Sequence, residues 1–226
     1  MATIDDNLQA VRARIDRAAR AAGRDPAAVT LLAVSKTHSA ARIEEARAAG
    51  QRAFGENYVQ EAVQKMQSLP GLEWHLIGPL QSNKTRLAAE RFDWVQTVQS
   101  EKIARRLSES RPAGLAPLNA LIQVNVSGEA SKSGIRPEDV LLLSKKISVL
   151  PRLKLRGLMA IPEPGADQSR YREVKGIFDR LKGEFGFDTL SLGMSDDMEL
   201  AIAEGATLVR VGTAIFGARR KEKTAA

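Results

Sequence analysis

Eight short apolar runs recur along this chain of 226 residues, each set apart from the next by a polar stretch with helical period. The runs are Val29–Ser35, Ala53–Glu56, Glu73–Ile77, Asp93–Val98, Leu118–Val126, Leu153–Met159, Thr189–Leu192 and Leu208–Val211. Between them lie Ala-, Glu-, Lys- and Arg-rich segments such as Ala40–Ala49, Asn57–Ser68, Glu101–Ser110, Glu138–Leu150 and Gln168–Gly183. Strands that alternate with helices build a parallel sheet, because each helix carries the chain back to the edge where it started. The first run, Val29-Thr-Leu-Leu-Ala-Val34, is apolar on both faces, as a strand covered on both sides should be. Eight such units in about 200 residues predict an α/β chain folded as one (β/α)8 barrel of the TIM type. A doubly wound open sheet is the alternative, but it usually carries a glycine-rich turn after its first strand. Here that strand ends Val34-Ser-Lys-Thr-His38, without glycine.

An extra helix precedes the barrel. Ile4, Leu8, Val11, Ile15 and Ala18 recur at spacings of three and four across residues 3–22, with charges between them. Gly23 and Pro26 then supply stop signals. No Pro/Ser-rich linker or low-complexity segment divides the chain, so residues 1–226 are expected to form one domain. Its parts are the helix at 3–22, a barrel over 28–217 and a basic tail at 218–226.

Several function classes are excluded at this level. The chain has no Cys, which removes disulfides, thiolate zinc sites, iron–sulfur clusters and a Cys nucleophile. It has two His, His38 and His75, too few for a His-rich metal site, so no metal is expected. No run of about 18 apolar residues spans a membrane. The start carries Asp5, Asp6 and Asp16 among its arginines, unlike a signal peptide, and the cytoplasm is the expected compartment. Net charge is +7, but Lys and Arg are spread along the chain and are dense only in the tail from Arg219 to Lys223. Aromatics make up 4%, too few for base stacking, so the surplus of charge points to an anionic small ligand rather than nucleic acid.

In parallel α/β folds the site lies at the C-terminal ends of the strands. Those ends carry Lys36, Gly55-Glu-Asn57, Trp74-His-Leu-Ile-Gly78, Gly193-Met-Ser-Asp-Asp197 and Arg210-Val-Gly-Thr213. Side chains alternate along a strand, so Lys36 shares a face with Thr30, Leu32 and Val34. If that face is the barrel interior, partial desolvation disfavours the ammonium form and makes the amine a nucleophile for an aldehyde or ketone. The alternative is a strand-end Lys that reaches water. Ser195, Gly212 and Thr213 fall after strands seven and eight, where barrels often hold phosphate on backbone N–H groups. Ordinary turn chemistry, with Ser195 as N-cap of a helix over Asp196–Ala203, is the competing reading. Asp196 and Asp197 would repel a phosphate unless they point away. Arg210, inward by parity with Leu208, needs an anion or a barrel carboxylate. His75 could meet a ligand or be a satisfied core histidine. Asn57 could orient a ring or cap the next helix. Lys84 and Lys132 sit in loop-like contexts and read as solvated. No Ser/His/Asp set is present, and no residue is assigned a catalytic role.

At these residues the chain closely resembles the pyridoxal phosphate homeostasis proteins, small relatives of the alanine racemase N-terminal barrel. The matching stretches are Leu31-Leu-Ala-Val-Ser-Lys36, Phe54-Gly-Glu-Asn57, Trp74-His-Leu-Ile-Gly78, Leu80-Gln-Ser-Asn-Lys84, Ser131-Lys-Ser-Gly134, Gly157-Leu-Met159, Gly193-Met-Ser195 and Val209–Gly217. Together they cover nearly the whole chain in order. The resemblance implies a fold-type III barrel that holds pyridoxal 5′-phosphate (PLP). It makes Lys36 the Schiff-base lysine, Ser195, Gly212 and Thr213 the phosphate cradle, and Arg210 the arginine facing the pyridine nitrogen. Met194, Asn57 and His75 match positions near the cofactor, and Lys132 matches a lysine with a secondary part in cofactor exchange.

The family pattern further implies a carrier that holds PLP and supplies it to apo-enzymes, as a monomer or weak dimer, without a settled reaction. Alanine racemases add a second domain with a tyrosine base, for which this chain is expected to lack residues. A cation beside the pyridine nitrogen also disfavours its protonation and weakens the ring as an electron sink. A stand-alone PLP-dependent racemase is the alternative.

Overall fold

The computed structural model describes residues 2–128 and 133–218. Eight parallel strands close into a barrel in chain order. They are β1 (Thr30–Val34), β2 (Ala53–Glu56), β3 (Glu73–Leu76), β4 (Trp94–Val98), β5 (Leu118–Val124), β6 (Leu153–Ala160), β7 (Thr189–Ser191) and β8 (Leu208–Val211). The ring shuts where β1 pairs with β8, Leu32 against Arg210. Every run expected from the sequence is a strand, with ends shifted by a residue or two.

The helices are α1 (Ile4–Ala21), α2 (Ala40–Ala48), α3 (Val59–Ser68), α4 (Thr85–Arg91), α5 (Glu101–Ser110), α6 (Val140–Ser148), α7 (Gln168–Phe185), α8 (Met198–Ala203) and α9 (Thr213–Phe216). α1 starts on a capping box, in which the Asp6 N–H donates to Thr3 Oγ1 at 3.1 Å and the Thr3 N–H donates to Asp6 Oδ2 at 2.8 Å. Its buried stripe is Ile4, Leu8, Val11, Ile15 and Ala19, while Ala18, the expected fifth member, is only partly buried. That stripe packs on α2, α8 and α9.

Strand alternation sorts the core. Outward residues such as Ala33, Phe54, Trp74, Val95, Leu190 and Val209 join the large layer between sheet and helices. Inward residues form two smaller clusters, one of Leu32, Ala53 and Leu208 with Ile77 against it, the other of Trp94, Leu121 and Met159. The interior is not wholly apolar, for His75, Gln96, Ser191 and Arg210 are buried there too. Among the described residues no helix is long and apolar enough to cross a membrane, and no group of His, Asp or Glu could hold a metal ion. The basic run from Arg219 lies outside the described residues.

Candidate functional site

A cavity of about 230 Å³ opens at the C-terminal ends of the strands. Lys36, Asn57, Met194, Ser195, Arg210, Gly212 and Thr213 line it, with Val34, Ile77, Ile161 and Asp196. Side chains from β1, β2, β8 and the loops after β7 and β8 therefore converge, as strand parity required. A smaller hollow continues it past Asn57, Ile77 and Ile161 towards Gln123 and Ser133.

Lys36 follows β1 on the inward face, above Val34 and Leu32. Its two neighbours are held from behind the strand. The Ser35 hydroxyl donates to Glu56 Oε1 at 2.7 Å. Lys65 Nζ donates to the Ser35 carbonyl at 2.9 Å, to Glu56 Oε1 at 2.7 Å and to Glu61 Oε1 at 2.6 Å. Glu61 Oε1 in turn accepts the Thr37 N–H at 2.7 Å. Thr37 has φ of 66°, and among the described residues no other non-glycine has positive φ. A β-branched residue avoids that region, so a firm partner on its N–H is needed to hold it there. Sequence reasoning missed this clamp. The signal was a lysine, Lys65, on the buried stripe of α3 begun by Val59 and Ala62.

Arg210 lies under the cavity and is 4% exposed. It donates from Nη1 to Ser191 Oγ at 2.7 Å and from Nη2 to the Ala160 carbonyl at 3.0 Å. Both acceptors are neutral, and among the described residues it forms no ion pair. Burial pushes its pKa down to about 10, with only the more distant Asp197 charge pulling the other way. The barrel carboxylate that the sequence left open as its partner is not bonded to it. A buried guanidinium so placed favours an electron-rich acceptor in the cavity above.

The far wall is built by the loops after β7 and β8. Residues 195–197 form a turn, and α8 begins only at Met198, so Ser195 is not the helix cap. The reason is Asp197. Its Oδ1 accepts the Met194 N–H at 2.5 Å and closes the turn, while its Oδ2 accepts the Tyr171 hydroxyl at 2.6 Å. Burial and this carboxylate push the Tyr171 phenol pKa up. Asp197 is thereby taken up away from the cavity, and Asp196 stays on its rim. Gly193 has φ of +93°, and a Cβ there would stand 2.5 Å from Ala201 Cβ, so the turn needs glycine. Gly212 makes room for β1 instead, since its Cβ would lie 3.2 Å from the Val34 carbonyl oxygen. Thr213 starts α9, and the first N–H groups of a helix have no acceptor within it. α1 braces both loops from outside. Arg14 Nη2 donates to the Ser195 carbonyl at 3.0 Å, and Asn7 Nδ2 donates to the Ile215 carbonyl at 2.9 Å.

Two expectations need correction. Asn57 lines the cavity but does not cap α3, which is preceded by Tyr58. His75 does not reach the cavity. It points inward, but Ile77, two residues further along, occupies the lining position, and two residues of strand span about 7 Å. His75 instead lines a polar hollow at the opposite end of the barrel with Glu73, Trp94, Asn119, Arg156 and Asp188. It is 1% exposed, stacks on Trp94 with ring centroids 5.0 Å apart, and has both ring nitrogens hydrogen-bonded. This is the satisfied core histidine of the two readings. Lys84 ends a 3-10 turn and does not line the cavity, and Lys132 lies outside the described residues.

Comparison with known proteins agrees with this fold. The family described as "Alanine racemase, N-terminal domain" matches residues 7–220. A "Pyridoxal phosphate homeostasis protein" of Pseudomonas aeruginosa is 60% identical, covering 97% of this chain and 97% of its own. One of the same description from Escherichia coli K12 is 55% identical, covering 99% of this chain and all of its own. PipY of Synechococcus elongatus, solved with PLP bound, superposes with a TM-score of 0.82 at 39% identity, over 95% of this chain and all of that one. An alanine racemase of Clostridium difficile 630 has a TM-score of 0.76 at 13% identity, and this chain spans 57% of its length. That similarity shows the shared barrel.

Proposed function

The chain belongs to the alanine racemase N-terminal domain family, and within it to the pyridoxal phosphate homeostasis proteins; on that premise we propose that it holds PLP in the mouth cavity as a Schiff base on Lys36 and supplies it to apo-enzymes. The observation that carries the reading is Arg210, a buried guanidinium bonded among the described residues only to neutral oxygens, at the floor of a cavity lined by Lys36 and by Ser195, Gly212 and Thr213. PLP-bound PipY, superposing over the whole barrel, supports the choice of ligand.

When bound, PLP supplies an aldehyde carbon that an amine can join with loss of water. Lys36 Nζ is the amine on the wall, and the clamp behind β1 fixes the backbone on both sides of it. Ser195 and Thr213 offer hydroxyl donors to a phosphate, and the start of α9 offers backbone N–H groups. Arg210 disfavours a proton on a ring nitrogen placed beside it, which suits holding the cofactor more than catalysing with it.

The test is borohydride reduction of the PLP-loaded protein followed by peptide mapping. The expected adduct falls on the peptide containing Lys36 and is absent from Lys36→Ala, which keeps its fold. An adduct elsewhere, or none, overturns the assignment. Transfer is tested by mixing loaded protein with an apo-PLP enzyme behind a trap for free PLP; recovery of that enzyme's activity is expected. Solvent deuterium exchange at Cα of added amino acids, above the level of free PLP, would support the racemase alternative instead.

A further inference from the structure

Four hydrogen bonds run in series through the barrel interior, from the mouth cavity to the opposite end. Arg210 Nη1 is 2.7 Å from Ser191 Oγ, Ser191 Oγ is 2.7 Å from Gln96 Oε1, Gln96 Nε2 is 2.8 Å from His75 Nδ1, and His75 Nε2 is 2.6 Å from Glu73 Oε1. Ser191 and Gln96 are fully buried and His75 nearly so, while the Glu73 side chain is 48% exposed. We propose that Ser191, Gln96 and His75 are positioning residues for Arg210, forming a one-way relay that ties the cofactor site to the far end of the barrel.

The direction of the relay follows from donor counting. Arg210 can only donate, so Ser191 Oγ accepts from it, and with Gln96 Oε1 turned towards Ser191 the hydroxyl proton goes to Gln96. Gln96 must then present its oxygen to Ser191 and its NH2 to His75. Nδ1 of His75 therefore accepts and carries no proton, and Nε2–H donates to Glu73. With Gln96 in this orientation, the chain is consistent only with a neutral His75 in the Nε2–H tautomer. A proton on Nδ1 would face the Gln96 NH2, donor against donor. Gln96 would have to turn over, and Ser191 would lose the acceptor for its hydroxyl while still holding Arg210. Protonating His75 therefore reverses the Gln96 link and takes the acceptor from the Ser191 hydroxyl.

The surroundings of His75 favour the neutral form. Trp94 covers one ring face, and Gly55 on β2 brings no side chain. The charged groups near it are Glu73 on its own strand, Asp93 just ahead of β4, and Arg156 on β6. Arg156 pairs with Asp188 at 2.8 Å and lies 4.8 Å over the Trp94 ring, so its charge is already engaged.

Only the last step, from Arg210 to bound PLP, rests on the function proposed above, and the experiment separates the two. His75 and His38 are the only histidines, so nitrogen NMR of the apo-protein labelled at histidine resolves the ring. The wild type should show the Nε2–H tautomer; an Nδ1–H tautomer overturns the relay. Ser191→Ala removes one hydroxyl and frees Gln96 to turn its oxygen towards His75, which should raise the His75 titration midpoint by about one pH unit. A folded Ser191→Ala protein with an unchanged or lower midpoint overturns the relay, since a merely structural serine would not move a histidine it does not touch. In PLP-loaded protein the visible absorption band should change at the pH where His75 titrates, and both should move up together in Ser191→Ala. A band indifferent to His75 overturns the coupling to the site. Expected NMR behaviour in a protein that takes up no PLP would instead overturn the cofactor reading and leave the relay in place.

Discussion

Lys65 Nζ lies 2.7 Å from Glu56 Oε1 on the outer face of the sheet, directly behind the segment that leads from β1 to Lys36. Both side chains are nearly or wholly buried, and burial pushes the Glu56 carboxyl pKa up even though Lys65 opposes it. Removing one partner of a buried pair leaves an uncompensated charge and typically costs about 3–5 kcal/mol. Lys65→Met should therefore lose stability of that order in urea unfolding. Lys65→Met combined with Glu56→Gln should recover at least half, because the stranded carboxylate is gone. A double variant as unstable as the single one would show that lost packing, not lost pairing, was responsible.

Ser195 and Thr213 offer one hydroxyl each to the cavity, from the loops that follow the paired strands β7 and β8. A hydroxyl that donates to a charged phosphate contributes about 1.5–3 kcal/mol, which is roughly tenfold to a hundredfold in a dissociation constant. Ser195→Ala and Thr213→Ala should each weaken PLP binding by about that factor, read by equilibrium dialysis. Stability of the empty protein should change little. Unchanged affinity in either variant removes that hydroxyl from the cradle.

The barrel was legible because its cause is local: eight apolar runs alternating with helical stretches, each readable within ten residues. The mouth residues were legible because strand parity and position suffice to place Lys36 and Arg210 inward. What escaped depends on relations between distant elements. His75 obeys the same parity as Ile77 but sits one layer deeper, and depth in a barrel is set by the stagger between strands. The Ser195 cap failed because Tyr171, from α7, draws Asp197 into a turn that delays α8. The Gln96–Ser191 link joins β4 to β7 across the interior, 95 residues apart in sequence. α4 and the single-turn α9 are short, and neither was singled out by periodicity.

Arg14 ties α1 to the loop after β7 by donating to the Ser195 carbonyl at 3.0 Å while pairing with Glu199 at 2.8 Å. Both charged side chains are about a third to a half exposed, so the pair itself contributes under about 1 kcal/mol. Its larger effect is geometric, since it fixes the loop that carries Ser195. Arg14→Ala should shift the melting temperature only slightly yet weaken PLP binding about twofold to fivefold, on the order of one hydrogen bond. Equal losses in stability and affinity would mean that α1 acts on the whole fold rather than on the loop.

His75 should also impose a pH dependence on folding. Burial holds its pKa below the ordinary value of 6.5, outweighing the pull of Glu73 and Asp93. Between the folded and unfolded values the unfolded chain binds more protons, so stability rises with pH in that window. The contribution of a neutral His75 is complete above about 6.5 and is lost as pH falls below it, towards the folded value. Glu73 behaves separately. Its hydrogen bond from His75 holds its pKa below the ordinary carboxylate value of 4.5, so its contribution is present above that pH and is lost only as pH falls below it. Thermal melts of wild type and His75→Gln from about pH 7.5 down to about pH 5 isolate the histidine. The difference in melting temperature should shrink as the pH falls, because only wild type must release a proton on folding. A difference that stays constant across that range would mean the ring titrates inside the barrel as it does in the unfolded chain, and one that grows as the pH falls would mean it is charged there; either result removes the buried, neutral histidine.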